Sequence, residues 1–323
     1  MKLIIGVILL CTVVTAFSAT INWFIPDIES FDVNIYTTTD NGTYPVVIFL
    51  TGFGGLVPAA VYSNLLTKIA DQKIIVIALS KIENITAEYV EQKFAQFMIN
   101  ITDPTKGAKY LFEKNPLTTN VVPDLENQLA FLAQSAGCHV LTVYLTKRCG
   151  TQYAQVKLLI LMNPVDRSTY VTHPPQNLTF NTSVLIISSG PDGKPAYSGL
   201  PACAPNNMSN DRFYECLPGP KWLLNSTDYG HADMFDDVAR TAMNTVCATC
   251  SQLPMLTTCN FAQFRQDEAN TIVNFIEGIL SGVNEQQYLT FVQNPDPYFN
   301  SRTTIKSNVQ QITPSNGFCQ SYS

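Results

Sequence analysis

Hydrophobic positions in this chain follow two spacings that alternate along the sequence. Compact runs of apolar, β-branched and aromatic residues are typical of strands buried on both faces of a sheet. Such runs, with one alternating segment at the start, lie at Phe31–Thr38, Val46–Leu50, Ile74–Leu79, Leu129–Leu132, Val156–Met162 and Ser183–Ser188. Apolar residues at helical spacing occupy Pro58–Asp71, Cys138–Lys147, Asp236–Val246 and Ala262–Leu280. The alternation predicts an α/β fold with a mostly parallel central sheet and helices on both faces.

This arrangement also predicts where functional residues should lie. In sheets of parallel strands, ligands bind beyond the carboxyl ends of the strands. The segments at those ends are Gly52–Gly55, Ser135, Asn163–Asp166, Gly190–Asp192 and the loop before Asp236. We therefore expect the functional side chains to come from these places.

The first residues have the pattern of a secretory signal peptide. Met1 and Lys2 give a positive start, and Leu3–Val14 is apolar. Ala16 and Ser18 are small residues at the positions that a signal peptidase reads. We predict a signal peptide of residues 1–18 and a secreted, extracellular product. An N-terminal membrane anchor is the alternative, but the apolar run is shorter than the roughly 20 residues that span a bilayer.

The rest of the chain predicts one domain and a tail. Residues 19–293 hold all the predicted strands and helices, whereas residues 294–323 are polar and are expected to be irregular. Between Ser80 and Glu113 the pattern weakens, and we expect a helix with a surface insertion. No segment after the signal peptide reaches about 18 uninterrupted apolar residues, so we expect no stable membrane insertion.

The charge of the chain argues against one class of partner. The 323 residues carry a net charge of −6, only 14% of them are charged, and no run of Lys or Arg occurs. Proteins that bind nucleic acid carry basic patches, so nucleic acid is not the expected partner. The 46% of hydrophobic residues supply ample material for a core. Composition leaves the oligomeric state open.

Cysteines and glycosylation sequons agree with export. Of nine cysteines, Cys11 lies in the signal peptide, and the even number that remains is typical of disulfides in a secreted chain. These are Cys138, Cys149, Cys203, Cys216, Cys247, Cys250, Cys259 and Cys319. The Cys247-x-x-Cys250 spacing also occurs in zinc sites, but no second Cys or His pair accompanies it, which favours disulfides. Sequons, which predict exposed glycosylation sites, occur at Asn41, Asn84, Asn100, Asn177, Asn181, Asn207 and Asn225.

The segment Ala133-Gln134-Ser135-Ala136-Gly137 lies between a predicted strand and a predicted helix. This context, with small residues two positions before and after the serine, is typical of a nucleophile elbow, usually written G-x-S-x-G. Ala133 replaces the first glycine, which is a small departure. The alternative is an ordinary strand-to-helix turn in which Ser135 is only a local hydrogen-bonding group.

A serine hydroxyl needs a base to take its proton, and the chain has three histidines. His139 lies one turn after Ser135 on the same predicted helix and is interpreted as a packing residue. His173 lies in a Pro-rich loop beside a sequon. His231 lies late in the chain, in a loop before a helix, and serine followed by a late histidine is the α/β-hydrolase order. We therefore predict Ser135 as nucleophile and His231 as base.

Two backbone N–H groups should bind the negative oxygen of the reaction intermediate. One is expected from Ala136, directly after the nucleophile, and the other from Phe53, in the Gly-rich segment Gly52–Gly55. The alternative for that segment is a plain strand-to-helix turn. A phosphate-binding loop is disfavoured because neither G-K-[ST] nor G-x-G-x-x-G is formed.

Several segments together resemble the chlorophyllase branch of the α/β-hydrolases. They extend from about Tyr44 to Phe275 and read FLTGFGG, VYSNLLTKIADQKIIVIAL, LAFLAQSAG, LILMNPVD, PACAP, FYECLPGPKW and DYGHADMFDD. The resemblance implies an α/β-hydrolase fold, with Ser135 as nucleophile and His231 as base. It also implies a disulfide between Cys203 and Cys216.

The position expected to hold the catalytic acid departs from this family. The resemblance implies an Asp in a D-P-V sequence, where this chain has Asn163. An Asn orients an imidazole but does not stabilise the imidazolium, and in a serine protease this exchange lowers the rate about 10⁴-fold. Asp192, after the next strand, is the favoured replacement, and Asp166 is the alternative. Ala136 also replaces the basic residue that usually follows the family's serine.

These residues together predict a secreted serine hydrolase of carboxylic esters with an apolar moiety, a chlorophyllase-like esterase. The expected catalytic residues are Ser135, His231 and Asp192, with neither a metal nor an organic cofactor. The expected partner is a small-molecule ester. The alternative is a secreted, glycosylated pseudoenzyme that serves as a binding or structural protein on the same fold, and Asn163 and the dense sequons motivate it.

Overall fold

The computed structural model describes residues 21–80, 86–147, 156–166, 182–217, 220–252, 259–280 and 303–308. The expected signal peptide lies outside these residues. So do His173, Cys149, Cys319 and the sequon asparagines Asn84, Asn177 and Asn181.

A sheet of nine strands forms the centre of the described chain. Its strands are β1 (Ile21–Ile28), β2 (Phe31–Thr37), β3 (Gly42–Leu50), β4 (Ile75–Ser80), β5 (Val121–Gln134), β6 (Leu158–Met162), β7 (Ser183–Ser189), β8 (Lys221–Ser226) and β9 (Thr303–Asn308). Their order is β1-β2-β4-β3-β5-β6-β7-β8-β9. Neighbours from β4 to β8 are parallel, whereas β1, β2 and β9 pair in antiparallel fashion. This topology confirms the predicted α/β-hydrolase fold.

Helices connect the strands and cover both faces of the sheet. They are α1 (Gly52–Gly55), α2 (Ser63–Ala70), α3 (Ala87–Ile101), α4 (Ala108–Lys114), α5 (Ala136–Lys147), α6 (Asp211–Cys216), α7 (Asp237–Met243) and α8 (Phe261–Leu280). The helices predicted after the elbow and near the end of the domain correspond to α5, α7 and α8. The helix predicted over Pro58–Asp71 divides into a 3-10 turn, Ala59–Tyr62, and α2.

Alternate residues of the central strands face two different cores. In β3, Val46 and Ile48 pack in a cluster with Phe94 of α3 and other side chains of α3 and α5. Val47 belongs to the opposite cluster, with Ile272 of α8 and side chains of α2. All five side chains are fully buried, and each such burial contributes about 1.5–3 kcal/mol. The sheet is therefore held from both sides, as a frame for the loops at its edge.

Three strands, β1, β8 and β9, were not predicted from the hydrophobic pattern. The expectation of an irregular tail is wrong for Thr303–Asn308, because β9 pairs with β8 from Ser226↔Thr303 to Lys221↔Asn308. Its residues are mostly polar and form the edge of the sheet. An edge strand with few apolar residues gives little hydrophobic signal.

Strand β5 is longer than the predicted segment Leu129–Leu132. It begins at Val121, in a region predicted as a loop through Pro123. The first half of β5 pairs with the start of β3, and a register irregularity follows Pro45. Because Val122 and the residues around Glu126 are exposed, this half lacks the continuous apolar run of a buried strand.

The parallel strands end at one edge of the sheet, and four of them, β3, β5, β7 and β8, lead into the loops of the candidate site. Leu50 at the end of β3 pairs with Ala133 in β5, and Ser189 at the end of β7 pairs with Ser226 at the end of β8. The loops that follow these strands carry every predicted catalytic or oxyanion residue except Asp166, which follows β6.

Candidate active site

The turn from β5 to α5 places Ser135 in a strained conformation. Its φ is +54°, in the left-handed region, which costs an L-residue about 1–2 kcal/mol. The Ser135 N–H donates to the carbonyl of Met162 at 2.9 Å, which fixes the turn against β6. Such a turn projects the hydroxyl out of the sheet edge, as in a nucleophile elbow.

Gly137 allows α5 to approach β3 closely. A Cβ at this position would lie 2.6 Å from the carbonyl oxygen of Thr51 and 2.7 Å from that of Leu50. A larger residue would therefore push the start of α5 away from the Gly-rich turn. This explains why the elbow needs a glycine two residues after Ser135.

The Gly-rich turn α1 follows β3 and lies against the start of α5. Phe53 and Gly54 both have positive φ, +51° and +68°, so the turn is not a regular helix. The Gly55 N–H donates to the carbonyl of Thr51 at 2.9 Å and closes the turn. Phe53 follows the end of β3, and Ala136 follows the end of the neighbouring strand β5. The assignment of their N–H groups to an oxyanion hole stays a prediction.

The structure brings His231 and Ser135 together. His231 Nε2 lies 3.0 Å from Ser135 Oγ. Both residues are buried, with exposed fractions of 5% and 8%. The predicted nucleophile and base are therefore within hydrogen-bond distance although they are 96 residues apart in sequence.

Asp233 holds the loop that carries His231. Its Oδ2 accepts hydrogen bonds from the N–H of Gly230 at 2.7 Å and from the N–H of Cys250 at 2.8 Å. Gly230 packs directly on the backbone of Ala248, because a Cβ there would lie 1.9 Å from its carbonyl oxygen. Burial raises the pKa of Asp233 to about 6 despite the two N–H donors. The base is thus fixed by a carboxylate that sequence reasoning did not single out.

Of the two predicted acids, the structure places Asp192 near the base. Its Oδ1 lies 3.6 Å from His231 Nδ1, on the side of the imidazole that faces away from Ser135. Asp192 is 2% exposed, and its Oδ2 accepts a hydrogen bond from Asn210 Nδ2 at 3.3 Å. The contact to His231 is longer than a hydrogen bond, and the assignment of Asp192 as the catalytic acid stays a prediction.

The alternative acid, Asp166, has other partners. Its Oδ1 lies 2.6 Å from His139 Nδ1, and its Oδ2 lies 3.0 Å from Arg212 Nε. His139 is buried, in agreement with its interpretation as a packing residue. Asp166 therefore contacts His139, and the structure shows no contact among the described residues through which it would orient His231.

Asn163 contacts the backbone of the base and not its ring. Its Nδ2 donates to the carbonyl of His231 at 3.5 Å, and the residue is 1% exposed. Its φ of +46° places it in the left-handed region, where Asn is better tolerated than most residues. Asn163, at the position where the resemblance implies the acid, thus supports the His231 loop.

Gln134 is a second residue that sequence reasoning missed. Its Nε2 lies 3.2 Å from His231 Nε2 and its Oε1 accepts a hydrogen bond from the Tyr62 hydroxyl at 2.9 Å. The signal that could have found it is its position directly before the nucleophile at the end of a strand. A polar residue that directly follows the buried apolar run of β5 marks the end of the strand, which lies at the edge of the sheet.

The predicted disulfide between Cys203 and Cys216 is wrong. Cys203 pairs with Cys247, and Cys216 is unpaired at the end of α6. A bridge between Pro195 and Cys247 brings the loop of Cys203 against the segment after α7, whereas a 3-10 turn and α6 lead the chain to Cys216. Cys250 pairs with Cys259, so disulfides are confirmed for both cysteines of the C-x-x-C spacing.

The described sequon asparagines differ in their surroundings. Asn41 is exposed beside β3, and Asn207 lies in the 3-10 turn Asn206–Met208. Asn100 is half-buried in α3 and donates from Nδ2 to Glu29. Asn225 lies in β8, where it lines a polar cavity beside Asp192. Exposure at Asn41 agrees with the expected surface position, and glycosylation stays a prediction.

No helix in the described ranges is long and apolar enough to cross a membrane. The same ranges contain no cluster of three or more His, Cys, Asp or Glu side chains arranged to hold a metal ion.

Comparison with known proteins agrees with the segments noted in the sequence. A family model described as Chlorophyllase matches residues 27–298. Chlorophyllase-1 from Arabidopsis thaliana is 26% identical over 217 residues, which cover 64% of this chain and 63% of that protein. The chain thus spans less than two thirds of the length of this relative.

Proposed function

Because this chain belongs to the chlorophyllase family, we propose that it is a serine hydrolase that cleaves carboxylic esters. The distance of 3.0 Å between Ser135 Oγ and His231 Nε2 is the observation that carries the proposal. A serine at a strained strand-to-helix turn, with a buried imidazole in contact, is the arrangement that activates a hydroxyl for acyl transfer.

In the proposed reaction Ser135 Oγ attacks the ester carbonyl carbon while its proton passes to His231 Nε2. The carbonyl oxygen gains negative charge and accepts hydrogen bonds from the N–H groups of Phe53 and Ala136. The tetrahedral intermediate collapses, the C–O bond of the ester breaks, and His231 gives its proton to the alcohol that leaves. A water molecule then attacks the acyl carbon while its proton passes to His231. The bond between that carbon and Ser135 Oγ breaks, the carboxylic acid leaves, and His231 returns the proton to Ser135 Oγ.

The proposed role of Asp192 is to stabilise the imidazolium that forms in these steps. Its 3.6 Å separation from His231 Nδ1 leaves room to shorten when the ring becomes charged, since catalytic hydrogen bonds are often long before substrate binds. Because Asp192 is buried, its attraction to the imidazolium is strong, since the protein interior screens the interaction between two charges less than water does.

The proposed substrate is an ester with an apolar portion. Phe53 and Leu56, on and beside the Gly-rich turn, are both 48% exposed. Two large apolar side chains exposed at the turn that lies against the start of α5 favour a substrate that buries hydrocarbon against them. Chlorophyll, the substrate class suggested by the relative's name, is one such ester and is included in the test below.

Export is part of the proposal. The Cys203–Cys247 and Cys250–Cys259 disulfides support folding in an oxidising compartment. The N-terminal signal-peptide pattern and the exposed sequon at Asn41 support a secreted glycoprotein. The test is the mature N-terminus and the glycan content of the protein recovered from the medium of expressing cells.

One observation favours a second candidate function, a pseudoenzyme that binds ligands on the same fold. Asn163 replaces the family's acid, and Asp192 stands beyond hydrogen-bond distance from the base. Hydrolysis separates the two candidates. The purified protein should cleave p-nitrophenyl esters of increasing acyl length and chlorophyll in detergent, and Ser135→Ala should lose at least about 10³-fold in rate. Equal rates for the two proteins would reject the esterase.

A further inference from the structure

Gln134 connects the base to the Gly-rich turn through a buried chain of hydrogen bonds. The Gly52 N–H donates to the Tyr62 hydroxyl at 3.1 Å, and that hydroxyl donates to Gln134 Oε1 at 2.9 Å. On the other side, Gln134 Nε2 lies 3.4 Å from the carbonyl oxygen of His231 and 3.2 Å from His231 Nε2. Gln134 is 1% exposed and Tyr62 fully buried, so water does not replace these contacts.

The partners of Gln134 determine which way its amide points. A carbonyl oxygen only accepts, so the atom of Gln134 that faces the carbonyl of His231 must be the NH₂ group. The opposite atom is then Oε1, which needs a donor. Tyr62 supplies it, because burial raises the pKa of this phenol and it keeps its proton. Since the Gly52 N–H already donates to the same oxygen, the Tyr62 proton is directed to Gln134.

This orientation constrains the proton on His231. In a neutral imidazole one nitrogen is a donor and the other an acceptor. Gln134 presents a donor to Nε2, so the favourable form has its lone pair on Nε2 and its proton on Nδ1. We propose that Gln134 is a positioning residue that holds His231 in this tautomer. The proposal deepens the proposed function and rests on it for its catalytic meaning.

That tautomer is the one a serine hydrolase needs. The Nε2 lone pair is shared between the Gln134 N–H and the Ser135 hydroxyl, 3.2 Å and 3.0 Å away, and it takes the Ser135 proton when the hydroxyl attacks. The Nδ1 proton faces Asp192. Asp192 stands 3.6 Å from Nδ1, too far for a hydrogen bond that would select the tautomer alone. In many serine hydrolases a close carboxylate selects the tautomer by accepting from Nδ1. Here Gln134 selects the same tautomer by donating to Nε2.

An Nε2 proton would point toward the Gln134 NH₂ group, so Gln134 opposes the tautomer that carries its proton on Nε2. The charged and titratable groups around His231 act differently. Asp192 faces the ring from the loop after β7, Asp233 lies in the same turn as the base, and Glu268 of α8 interacts with both carboxylates. These acids remain when Gln134 is changed, so the effect of Gln134 is measured against a constant background.

Gly52 leaves the space that this series of hydrogen bonds needs. A Cβ on Gly52 would lie 2.3 Å from Gln134 Oε1 and 3.1 Å from the Tyr62 hydroxyl. Its φ is not positive, so the glycine is explained by space and not by backbone conformation. The link between Gly52, Tyr62 and Gln134 therefore occupies the volume that a side chain at position 52 would fill.

The test is the nitrogen-15 NMR spectrum of His231 in the full-length, substrate-free protein with labelled histidine. The His231 signals are assigned by their loss in His231→Ala. At neutral pH the wild type should show a protonated Nδ1 and an unprotonated Nε2. Gln134→Glu, whose carboxylate only accepts, should move the proton to Nε2 and raise the proton affinity of the ring at least about tenfold. Gln134→Met, which has no donor, should give a mixture of tautomers.

Gln92→Glu is the matched control, because Gln92 is exposed on α3 and the exchange adds the same charge. It should leave the wild-type tautomer unchanged. A wild-type spectrum with the proton on Nε2, or a Gln134→Met spectrum identical to the wild type, would overturn the proposal. Labelling of Ser135 by a fluorophosphonate tests the proposed function separately. A protein with the expected tautomer but no labelling would refute the esterase and keep the role of Gln134.

Discussion

His231 Nδ1 and Asp192 Oδ1 are 3.6 Å apart, and neither atom has a hydrogen-bond partner within the described part of the chain. Both side chains are at least 94% buried. A donor and an acceptor that face each other in the interior without other partners gain most from a contact with each other. In the proposed mechanism the pair forms this hydrogen bond when His231 becomes charged.

The first prediction concerns Asp192. Asp192→Asn should lower kcat/KM for a p-nitrophenyl ester by about 10³–10⁴-fold, because a neutral amide cannot stabilise the imidazolium. Slow labelling of Ser135 by a fluorophosphonate should persist, since the nucleophile and the proposed oxyanion N–H groups remain.

Asp166→Asn is the matched comparison for Asp192→Asn. Asp166 contacts His139 and Arg212 and not His231, so the change should reduce thermal stability more than it reduces kcat/KM. If neither variant altered an already negligible wild-type rate and Asn163→Asp raised that rate sharply, no carboxylate would serve His231 in the native chain. The pseudoenzyme would then be the better interpretation of the fold.

The second prediction concerns Gly137. Gly137→Ala places a methyl group within 2.6 Å of the Thr51 carbonyl oxygen, which must displace the start of α5 from the Gly-rich turn. We expect loss of Ser135 labelling together with a lower melting temperature. Gly199→Ala is the control, because no atom lies within 4 Å of the place its methyl group would take, although the φ of Gly199 is +92°. Its cost is limited to backbone strain of about 1 kcal/mol, and it should keep full labelling.

The third prediction concerns the disulfides. Cys203→Ser/Cys247→Ser should lose about 4 kcal/mol of stability, the value for opening a loop of this length. Cys216→Ser should be nearly neutral, because Cys216 is unpaired. The measurement is chemical denaturation of both variants beside the wild type. Peptide mapping without reduction that recovered a Cys203–Cys216 pair would contradict the assignment, and the two variants would then be destabilised alike.

The fourth prediction concerns pH and Asp233. Burial raises its pKa in the folded protein to about 6, above the ordinary value of 3.8. Since the folded state binds this proton more tightly, the group favours folding most below about pH 4. That contribution is lost as the pH rises through about 6.

Asp233→Asn removes this titration while its amide oxygen can still accept from Gly230 and Cys250. The difference in melting temperature, variant minus wild type, should therefore increase between about pH 4 and pH 7. Differential scanning fluorimetry across that range measures it. A difference that stayed constant, or that fell with rising pH, would show that Asp233 is not protonated preferentially in the folded state.

The sequence predicted most of the buried strands and the turn around Ser135, because both depend on strong local patterns. Buried strands such as β4 and β6 are continuous apolar runs, and the elbow around Ser135 has its own spacing of small residues. β8 was missed because only Trp222, Leu223 and Leu224 are apolar within it, too few to separate a strand from a loop. β9 was missed because an edge strand needs no apolar pattern.

Long-range pairing was beyond the sequence for a different reason. Cys203 and Cys247 are 44 residues apart, and their contact depends on how two loops cross at the edge of the sheet. The roles of Gln134 and Asp233 are set in the same way. Each acts through a contact to the His231 loop that only the assembled sheet creates, so the sequence did not reveal these roles, although the position of Gln134 before Ser135 marks it as a residue near the site.

The most direct test of the central claim is active-site labelling of Ser135. The purified wild-type protein is treated with a fluorophosphonate, and the mass of the intact chain and of its peptides is measured. The account predicts one adduct, on Ser135, that is lost in Ser135→Ala and formed far more slowly in His231→Ala, because the serine needs the base to become nucleophilic. A wild-type protein without an adduct, or an equal adduct in Ser135→Ala, would contradict it.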